Sequence, residues 1–230
     1  MKYKGRMASV GITFLIQTIF VSYFVMLGEI YLPAFILGYV ILIPISYWTG
    51  LQYDKAIYFS EKDVLTHLYN RRFILTHFDK MVLAAKRAQR KLYICILDCD
   101  QFKQINDIHG HAAGDQVLKS IGEVLIRTLK KRDSAARWGG DEFIIIGEYE
   151  SERELQRFHQ QLEEAFSNMA ERFQFPSIVS VGTALYPEQG VQLEVLLKMA
   201  DADMYERKRK KKLQMTDNGS ISTDHAERET

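Results

Sequence analysis

The sequence has few cysteines and almost no net charge. Its two cysteines, Cys95 and Cys99, lie in one short apolar run, and their spacing fits neither a zinc knuckle nor a redox pair. They cannot form a disulfide framework, so we expect free thiols in a reducing compartment. The formal net charge of +1 argues against a broad basic surface, and we expect no nucleic-acid partner.

Residues 1–52 are instead rich in apolar side chains. Two apolar runs, about 7–28 and 31–48, each approach the roughly 20 residues with which a helix crosses a bilayer. A cleaved signal peptide is the alternative, but the first run is long for one and a second follows at once. Basic residues precede the first run and only Glu29 lies in the connection, so both termini are expected in the cytoplasm.

Composition divides the chain into four segments. We expect a membrane anchor (1–52), a connector that continues the second helix (53–62), a globular domain (63–213) and a disordered tail (214–230) rich in Ser, Thr, Asp and Glu. The polar Gln17 within the first apolar run indicates a helix–helix contact, with a lipid-facing glutamine beside small residues as the alternative.

Helical and strand patterns alternate through the globular domain. Apolar spacing predicts helix 72–90, strand 92–97, helices 101–108 and 115–131, strands 134–138 and 143–146, helix 151–173 with a capping box, strand 178–185 and helix 193–208. This order predicts an α+β two-layer sandwich of ferredoxin-like type around one sheet that contains antiparallel strands. Strand 92–97 is apolar throughout, as in strands that are covered on both faces.

A Gly-Gly pair followed by two acidic residues lies between two apolar runs and predicts a tight hairpin. Gly139 and Gly140 permit positive φ and the close approach of a bulky ligand. Asp141 and Glu142 beside such a turn favour a metal ion that carries phosphates. An ordinary hairpin turn without a ligand is the alternative.

Two further carboxylates, Asp98 and Asp100, follow strand 92–97 at an edge where α/β sheets commonly bind ligands. Carboxylates there are either paired by hydrogen bonds or hold a metal ion. If the hairpin forms the neighbouring strands, Asp141 and Glu142 would meet them, and the combined oxygen donors would suit Mg²⁺.

Five ordered motifs give these residues a common context. They read DVLTHLYNRR at 63–72, DCDQFKQINDIHGHAAGD at 98–115, RWGGDEF at 137–143, SVGTA at 180–184 and ADADMYERK at 200–208. Together they resemble the GGDEF family, the diguanylate cyclases, over nearly all of residues 63–212. The resemblance implies a nucleotidyl-cyclase or palm-type domain that condenses two GTP molecules into cyclic di-GMP and releases two pyrophosphates.

The resemblance also implies a metal site with two Mg²⁺ or Mn²⁺ ions per active centre. Its ligands would be Asp98, the Cys99 carbonyl, Asp141 and Glu142. Glu142 is also the candidate for deprotonating the 3′-hydroxyl that attacks the α-phosphate, with metal-bound water as the alternative.

Substrate contacts are implied by the same resemblance. The phosphate-contacting cations would be Lys103, Lys208 (with a catalytic role) and Lys212, while Gly139 and Gly140 pass close to the nucleotide and Phe102 lies beside it. Asn106 and Asp115 resemble the guanine readers. An aspartate can accept from guanine N1–H and the exocyclic amine, a donor pair that adenine lacks. Because each domain would hold one GTP, the resemblance implies a homodimer.

The sequence departs from the family pattern at two places. His67 stands where the family usually has glycine, which would cost strain if that position needs positive φ. Many members carry an Arg-x-x-Asp product-inhibition site, and here Lys130 replaces the arginine while Asp133 is kept. Lysine lacks the planar two-pronged contact of arginine, so this degenerate site predicts weak or absent product inhibition.

These observations predict a diguanylate cyclase anchored in the cell's inner membrane through two lipid-facing helices, with its GGDEF domain in the cytoplasm. A catalytically silent receptor for GTP or cyclic di-GMP is the alternative, although the intact signature argues against it. A membrane protein whose domain only dimerises would leave the ordered polar motifs unexplained.

Overall fold

The computed structural model describes residues 4–28, 32–173 and 179–224, with side chains described as far as residue 210. The chain divides into two units, Met1–Glu61 and Lys62–Thr230. Glu29, the charged residue expected between the membrane runs, lies outside the described residues.

The first unit consists of two helices, α1 (Lys4–Met26) and α2 (Leu32–Glu61). Both are long and apolar enough to cross a membrane, with mean hydropathies of 1.8 and 1.7. Most of their large apolar side chains are exposed. α2 extends well beyond the predicted apolar run and includes the segment that was expected to continue it.

Polar and small residues join α1 to α2. The hydroxyl groups of Thr18 and Tyr39 lie 3.0 Å apart. The Gln17 amide lies against Gly38, where any side chain would overlap it. The contact predicted for Gln17 is therefore confirmed, and the missing side chain at Gly38 is what makes room for it.

The second unit contains five strands and five described helices. They are β1 (Tyr69–Asn70), α3 (Arg71–Arg87), β2 (Lys91–Cys99), α4 (Phe102–His109), α5 (His111–Thr128), β3 (Ser134–Arg137), β4 (Glu142–Tyr149), α6 (Glu152–Phe173), β5 (Val179–Tyr186) and α7 (Leu193–Asp224). The predicted order of elements is confirmed, with the short β1 added before α3. Position 178, the predicted start of the last strand, lies outside the described residues.

The strands form one mixed sheet in the order β1-β3-β4-β2-β5. β1 is parallel to β3, and the other pairs are antiparallel. Leu92 and Ile94 of β2 pack in a core cluster with α3 and α7, whereas Tyr93, Cys95 and Leu97 pack in a second cluster with α5 and α6. The α+β class is confirmed. Helices cover both faces of the sheet, in agreement with the apolar side chains that β2 presents to each face.

Helix ends differ from the prediction in three places. α5 begins at His111 rather than at Asp115, so that Asp115 lies inside the helix. α7 continues to Asp224 where a disordered tail was expected, since an established helix extends at little cost when no proline interrupts it. At α6, Ser151 accepts from the Glu154 N–H (3.3 Å), but the Glu154 carboxylate accepts from the Glu150 N–H (2.8 Å), one residue before the expected partner.

Candidate active site

The end of β2 brings carboxylates from two strands together. Asp98 lies directly opposite Glu142 of β4 on one side and Ser180 of β5 on the other. Opposite residues of paired strands project to the same face of a sheet. The register therefore places the Asp98 and Glu142 carboxylates on one face, as the sequence predicted.

Lys208 of α7 reaches the same edge. Its ammonium forms an ion pair with Asp98 and lies 3.6 Å from Asp100. Asp100 accepts a 2.6 Å hydrogen bond from the Ser180 hydroxyl. Partial burial lowers the pKa of Lys208, but the hydrogen bond and charge of Asp98 raise it above its ordinary value overall. Lys208 is thus held as a cation against two carboxylates.

The remaining acids of the signature repel one another. Partial desolvation raises the pKa of Glu142, and the charges of Asp98 and Asp141 raise it further, followed by that of Asp201. The Asp141 carbonyl accepts a 3.1 Å hydrogen bond from the Cys99 N–H, which ties the turn to the end of β2. Lys208 contacts Asp98 and Asp100, whereas the net effect of the charges around Glu142 is to raise its pKa, even though Arg71 lowers it in part.

The hairpin itself is built differently from the prediction. Neither Gly139 nor Gly140 takes a left-handed backbone conformation, so the turn does not use the positive φ that glycine permits. The base of the turn closes when the N–H groups of Trp138 (2.7 Å) and Gly139 (3.3 Å) donate to the Glu142 carbonyl. A Cβ at Gly140 would meet nothing within 4 Å, so what glycine provides here is a bare, accessible surface.

Two arginines beside the turn were not assigned a role from the sequence. Arg137 donates from Nη2 (2.7 Å) and Nε (3.1 Å) to the Gly140 carbonyl. The Arg71 guanidinium lies 4.6 Å from the centre of the Trp138 ring. Both belong to motifs that the sequence made visible, but pattern alone does not say which side chain turns inward.

The predicted guanine readers lie together on α4 and α5. The Asn106 side chain packs against Gly114, the neighbour of Asp115, and a Cβ at Gly114 would overlap the Asn106 side-chain oxygen and lie 3.2 Å from Phe102 Cε2. That oxygen of Asn106 is buried and has no hydrogen-bond partner among the residues that the structure describes, whereas Asp115 is exposed. A buried unpaired acceptor is costly unless a ligand supplies its donor.

The other two predicted phosphate contacts belong to α4 and α7. Lys103 is exposed on α4. Lys212 lies in α7, but its side chain is outside the described part of the chain. Lys208 is therefore the predicted cation whose contacts the structure places beside Asp98.

The chemistry of the predicted metal ligands fits a hard divalent cation, because carboxylate and carbonyl oxygens are the donors that Mg²⁺ and Mn²⁺ prefer. The repulsion that raises the pKa of Glu142 would be relieved by such an ion. Within the described residues, no three His, Cys, Asp or Glu side chains converge closely enough to hold a metal ion. Lys208 instead neutralises Asp98.

The degenerate product-inhibition site is occupied by internal contacts. The Lys130 ammonium lies 2.6 Å from Glu154, whose two oxygens each accept a 2.9 Å hydrogen bond from Arg90. Asp133 accepts from the Lys130 N–H (3.0 Å) and the Tyr93 hydroxyl (3.2 Å). Burial acts to raise the pKa of Glu154, but hydrogen bonds from Lys130 and the Glu150 N–H lower it to about 2.

Comparison with known families identifies the second unit. The family model described as "Diguanylate cyclase, GGDEF domain" matches residues 60–214. Diguanylate cyclase DosC of Escherichia coli K12 is 34% identical over 152 residues, which cover 64% of this chain and 33% of that protein. Diguanylate cyclase DgcS of Shewanella oneidensis is 32% identical over 161 residues, covering 69% and 53% respectively. The chain thus spans between a third and about half of these curated relatives.

Solved structures agree on the fold. The coiled coil and GGDEF domain of DgcB from Caulobacter crescentus, in complex with c-di-GMP, matches with a TM-score of 0.60 and 28% identity over 69% of this chain and 85% of that one. The GGDEF domain of PA1120 from Pseudomonas aeruginosa matches with a TM-score of 0.57 and 33% identity over 65% and 89%. Both place the five-stranded sheet and its helices in the GGDEF fold.

Proposed function

The chain belongs to the GGDEF family, and from this premise we propose that it is a diguanylate cyclase that condenses two GTP molecules into cyclic di-GMP with release of two pyrophosphates. The observation that carries the proposal is the pairing of Asp98 with Glu142 across neighbouring strands, with Lys208 at the same edge. A structural domain gains nothing from an edge where acids outnumber bases.

We propose that this edge holds Mg²⁺ or Mn²⁺ through Asp98, the Cys99 carbonyl, Asp141 and Glu142, with two ions per site. A bound divalent cation would polarise the α-phosphate and offset the charge that develops during attack. Lys208 is already placed as a cation at the Asp98 carboxylate, and it would turn from that carboxylate to the phosphates when substrate enters. Lys103 and Lys212 are proposed as further phosphate contacts.

Glu142 is the proposed base for the 3′-hydroxyl. Desolvation and the neighbouring Asp98 raise its pKa, and a carboxylate with a raised pKa is a stronger acceptor for a proton. Arg71, which lies over the Trp138 ring, lowers the same pKa but does not cancel the rise.

We propose that guanine is read on α4 and α5. The buried side-chain oxygen of Asn106 has no hydrogen-bond partner in the described part of the chain, and guanine offers N–H donors on the edge that an asparagine would meet. Asp115 is exposed one residue beyond Gly114 and would accept from guanine N1–H and the exocyclic amine, which favours G over A. Phe102 would lie beside the base.

Each domain would bind one GTP, and two such domains must face each other for two 3′-hydroxyls to reach two α-phosphates. We therefore propose a homodimer as the active form. We also propose that α1 and α2 anchor the protein in the inner membrane, in contact with lipid, with both termini and the catalytic domain in the cytoplasm, because basic residues precede α1.

We propose that product inhibition is weak. The lysine that replaces the family's arginine is engaged with Glu154, and Asp133 is engaged with Tyr93 and the Lys130 N–H. A nucleotide phosphate would have to displace Glu154, whose low pKa reflects how strongly its anion is held.

The test is turnover. The full-length chain in detergent or nanodiscs is incubated with GTP and Mg²⁺ or Mn²⁺, and cyclic di-GMP is measured by mass spectrometry, with Asp141→Ala/Glu142→Ala as the control. Product from the wild type and none from the control is the expected result. GTP binding without product would contradict the cyclase proposal and favour a receptor, and loss of both would favour a dimerisation module.

A further inference from the structure

We propose that Arg137 is a positioning residue for the reaction, acting by holding the tip of the Gly-Gly turn. The proposal rests on the cyclase function proposed above. The Arg137 guanidinium donates two hydrogen bonds to one acceptor, the Gly140 carbonyl, from Nη2 (2.7 Å) and Nε (3.1 Å). That carbonyl belongs to the peptide that leads into Asp141, so its orientation sets where the signature acids begin.

Arg137 is itself anchored by Asp63. Its Nη1 lies 3.4 Å from Asp63 Oδ2, and the two side chains are 19% and 22% exposed. Asp63 is fixed in turn, because Oδ1 accepts from the N–H (2.9 Å) and hydroxyl (2.7 Å) of the buried Thr66. The anchor is therefore a rigid, partly desolvated carboxylate rather than a mobile surface charge.

Backbone strain next to Asp63 indicates that surrounding contacts hold this segment in place. His67 takes a left-handed conformation (φ 59°), as the family's usual glycine at this position led us to expect, and its N–H donates to the Asp63 carbonyl (3.0 Å). A histidine with positive φ persists where surrounding contacts over-determine the backbone. The Asp63 N–H donates to the Leu68 carbonyl (2.9 Å), which closes the loop around it.

The turn is thus held at two successive carbonyls by two different parts of the domain. Arg137 holds that of Gly140, and the Cys99 N–H holds that of Asp141 (3.1 Å). The first contact is made by a side chain and can be altered without touching any acid. Only a planar guanidinium can place two N–H groups on the turn and a third on Asp63, so lysine is not an equivalent replacement. Asp63 is also the second residue after α2 ends, which links the start of the domain to the turn.

The experiment compares Arg137→Lys with Arg90→Lys in the full-length protein in detergent. Arg90 is a matched control, because it is 22% exposed, bridges carboxylates of the same domain and lies away from the turn. Both changes are made in a Trp48→Phe background, which leaves Trp138 as the remaining one of the two tryptophans. Quenching of its fluorescence by acrylamide then measures how accessible the turn is to solvent.

Arg137→Lys is expected to lower kcat at saturating GTP by about tenfold or more, since misplacing reacting groups costs catalysis steeply. Affinity for a non-hydrolysable GTP analogue is expected to change by less than about threefold, because the proposed base contacts lie on α4 and α5. Trp138 is expected to become easier to quench. Arg90→Lys is expected to leave all three quantities unchanged while lowering the melting temperature.

A second variant keeps the test decisive if Arg137→Lys folds poorly. Asp63→Asn removes the anchor but leaves the two bonds to Gly140, so a smaller loss of kcat is expected. The double variant is expected to lose no more than Arg137→Lys alone, because both changes act through one contact. Additive losses would overturn the proposal.

Two other results would count against the positioning role of Arg137. An equal loss of kcat in Arg90→Lys, or a loss in Arg137→Lys with unchanged Trp138 quenching, would overturn the positioning role. If the parent protein makes no cyclic di-GMP, the proposed function fails, and Trp138 quenching alone then decides whether Arg137 holds the turn.

Discussion

The candidate active edge and the Lys130–Asp133 region use the same residue types with opposite electrostatic results. At the edge, one lysine, Lys208, contacts Asp98 and Asp100, and the nearby charges of Asp98 and Asp141 add to desolvation in raising the pKa of Glu142. In the other region, Glu154 is held by two cations, Lys130 and Arg90, and its pKa falls to about 2.

At the active edge a bound cation would stabilise the carboxylates, whereas in the Lys130–Asp133 region cationic side chains already do so. Excess carboxylates at a strand edge remain unfavourable until a cation arrives. A carboxylate with two cationic partners already has what a ligand would offer.

The largest effect is expected when Asp98, the acid at the centre of the active edge, is replaced. Asp98→Asn keeps the shape of the side chain but removes a metal ligand and the partner of Lys208. We expect cyclic di-GMP formation to fall by about 100-fold or more. Asp79→Asn, an exposed aspartate on α3, is the control in the same mass-spectrometric assay, and turnover within about twofold of wild type for Asp98→Asn would refute the site.

A smaller effect is expected from crowding the base pocket. Gly114→Ala would place a methyl group on the Asn106 side-chain oxygen. We expect GTP affinity to fall by about tenfold, as for the loss of one good recognition contact, with little change in melting temperature relative to Gly190→Ala, which crowds Val195 instead. Affinities are measured by calorimetry with a non-hydrolysable analogue, and equal affinities for the two variants would contradict the assignment of Asn106.

The neutralised region is expected to respond in stability rather than in turnover. Because the pKa of Glu154 is lowered from 4.5 to about 2 in the fold, its contribution to stability is present above pH 4.5 and is lost as pH falls toward 2. Glu154→Gln should therefore destabilise the protein by about 1 kcal/mol at pH 7.

Unfolding followed by circular dichroism at several pH values tests that expectation. The difference between wild type and Glu154→Gln should shrink as pH falls below about 4.5. A difference that is constant with pH would show that the carboxylate charge is not what stabilises the cluster.

The smallest effect is expected for product inhibition. Since Asp133 is already engaged with Tyr93 and the Lys130 N–H, Asp133→Ala should change inhibition by added cyclic di-GMP by less than about twofold. Nanomolar product binding that Asp133→Ala abolishes would instead restore this region as a regulatory site.

Much of the fold was predictable because local patterns agreed with one another. Apolar periodicity located each long helix and strand of the second unit, and the apolar run 92–97 within β2 indicated burial on both faces. Helix ends were less predictable, as at α5 and α7, because the propagation of a helix depends on the residues beyond its last turn as well as on a local stop signal.

The candidate site was predictable as a set of residues but not as a geometry. The motifs named Asp98, Glu142 and Lys208, yet nothing in their spacing fixed the strand register that sets Asp98 opposite Glu142. The positive φ that Gly139 and Gly140 permit is not used, and the turn is closed by hydrogen bonds to the Glu142 carbonyl.

What the sequence determined by itself is therefore the family, the order of elements and the identity of the candidate chemical groups, since these depend on residue type and spacing along the chain. Tertiary structure alone decided that Arg137 holds Gly140 and Asp63 together, and that Glu154 fills the Lys130 region. Both arrangements join residues distant in sequence, and such contacts depend on how the sheet and helices pack rather than on any local preference.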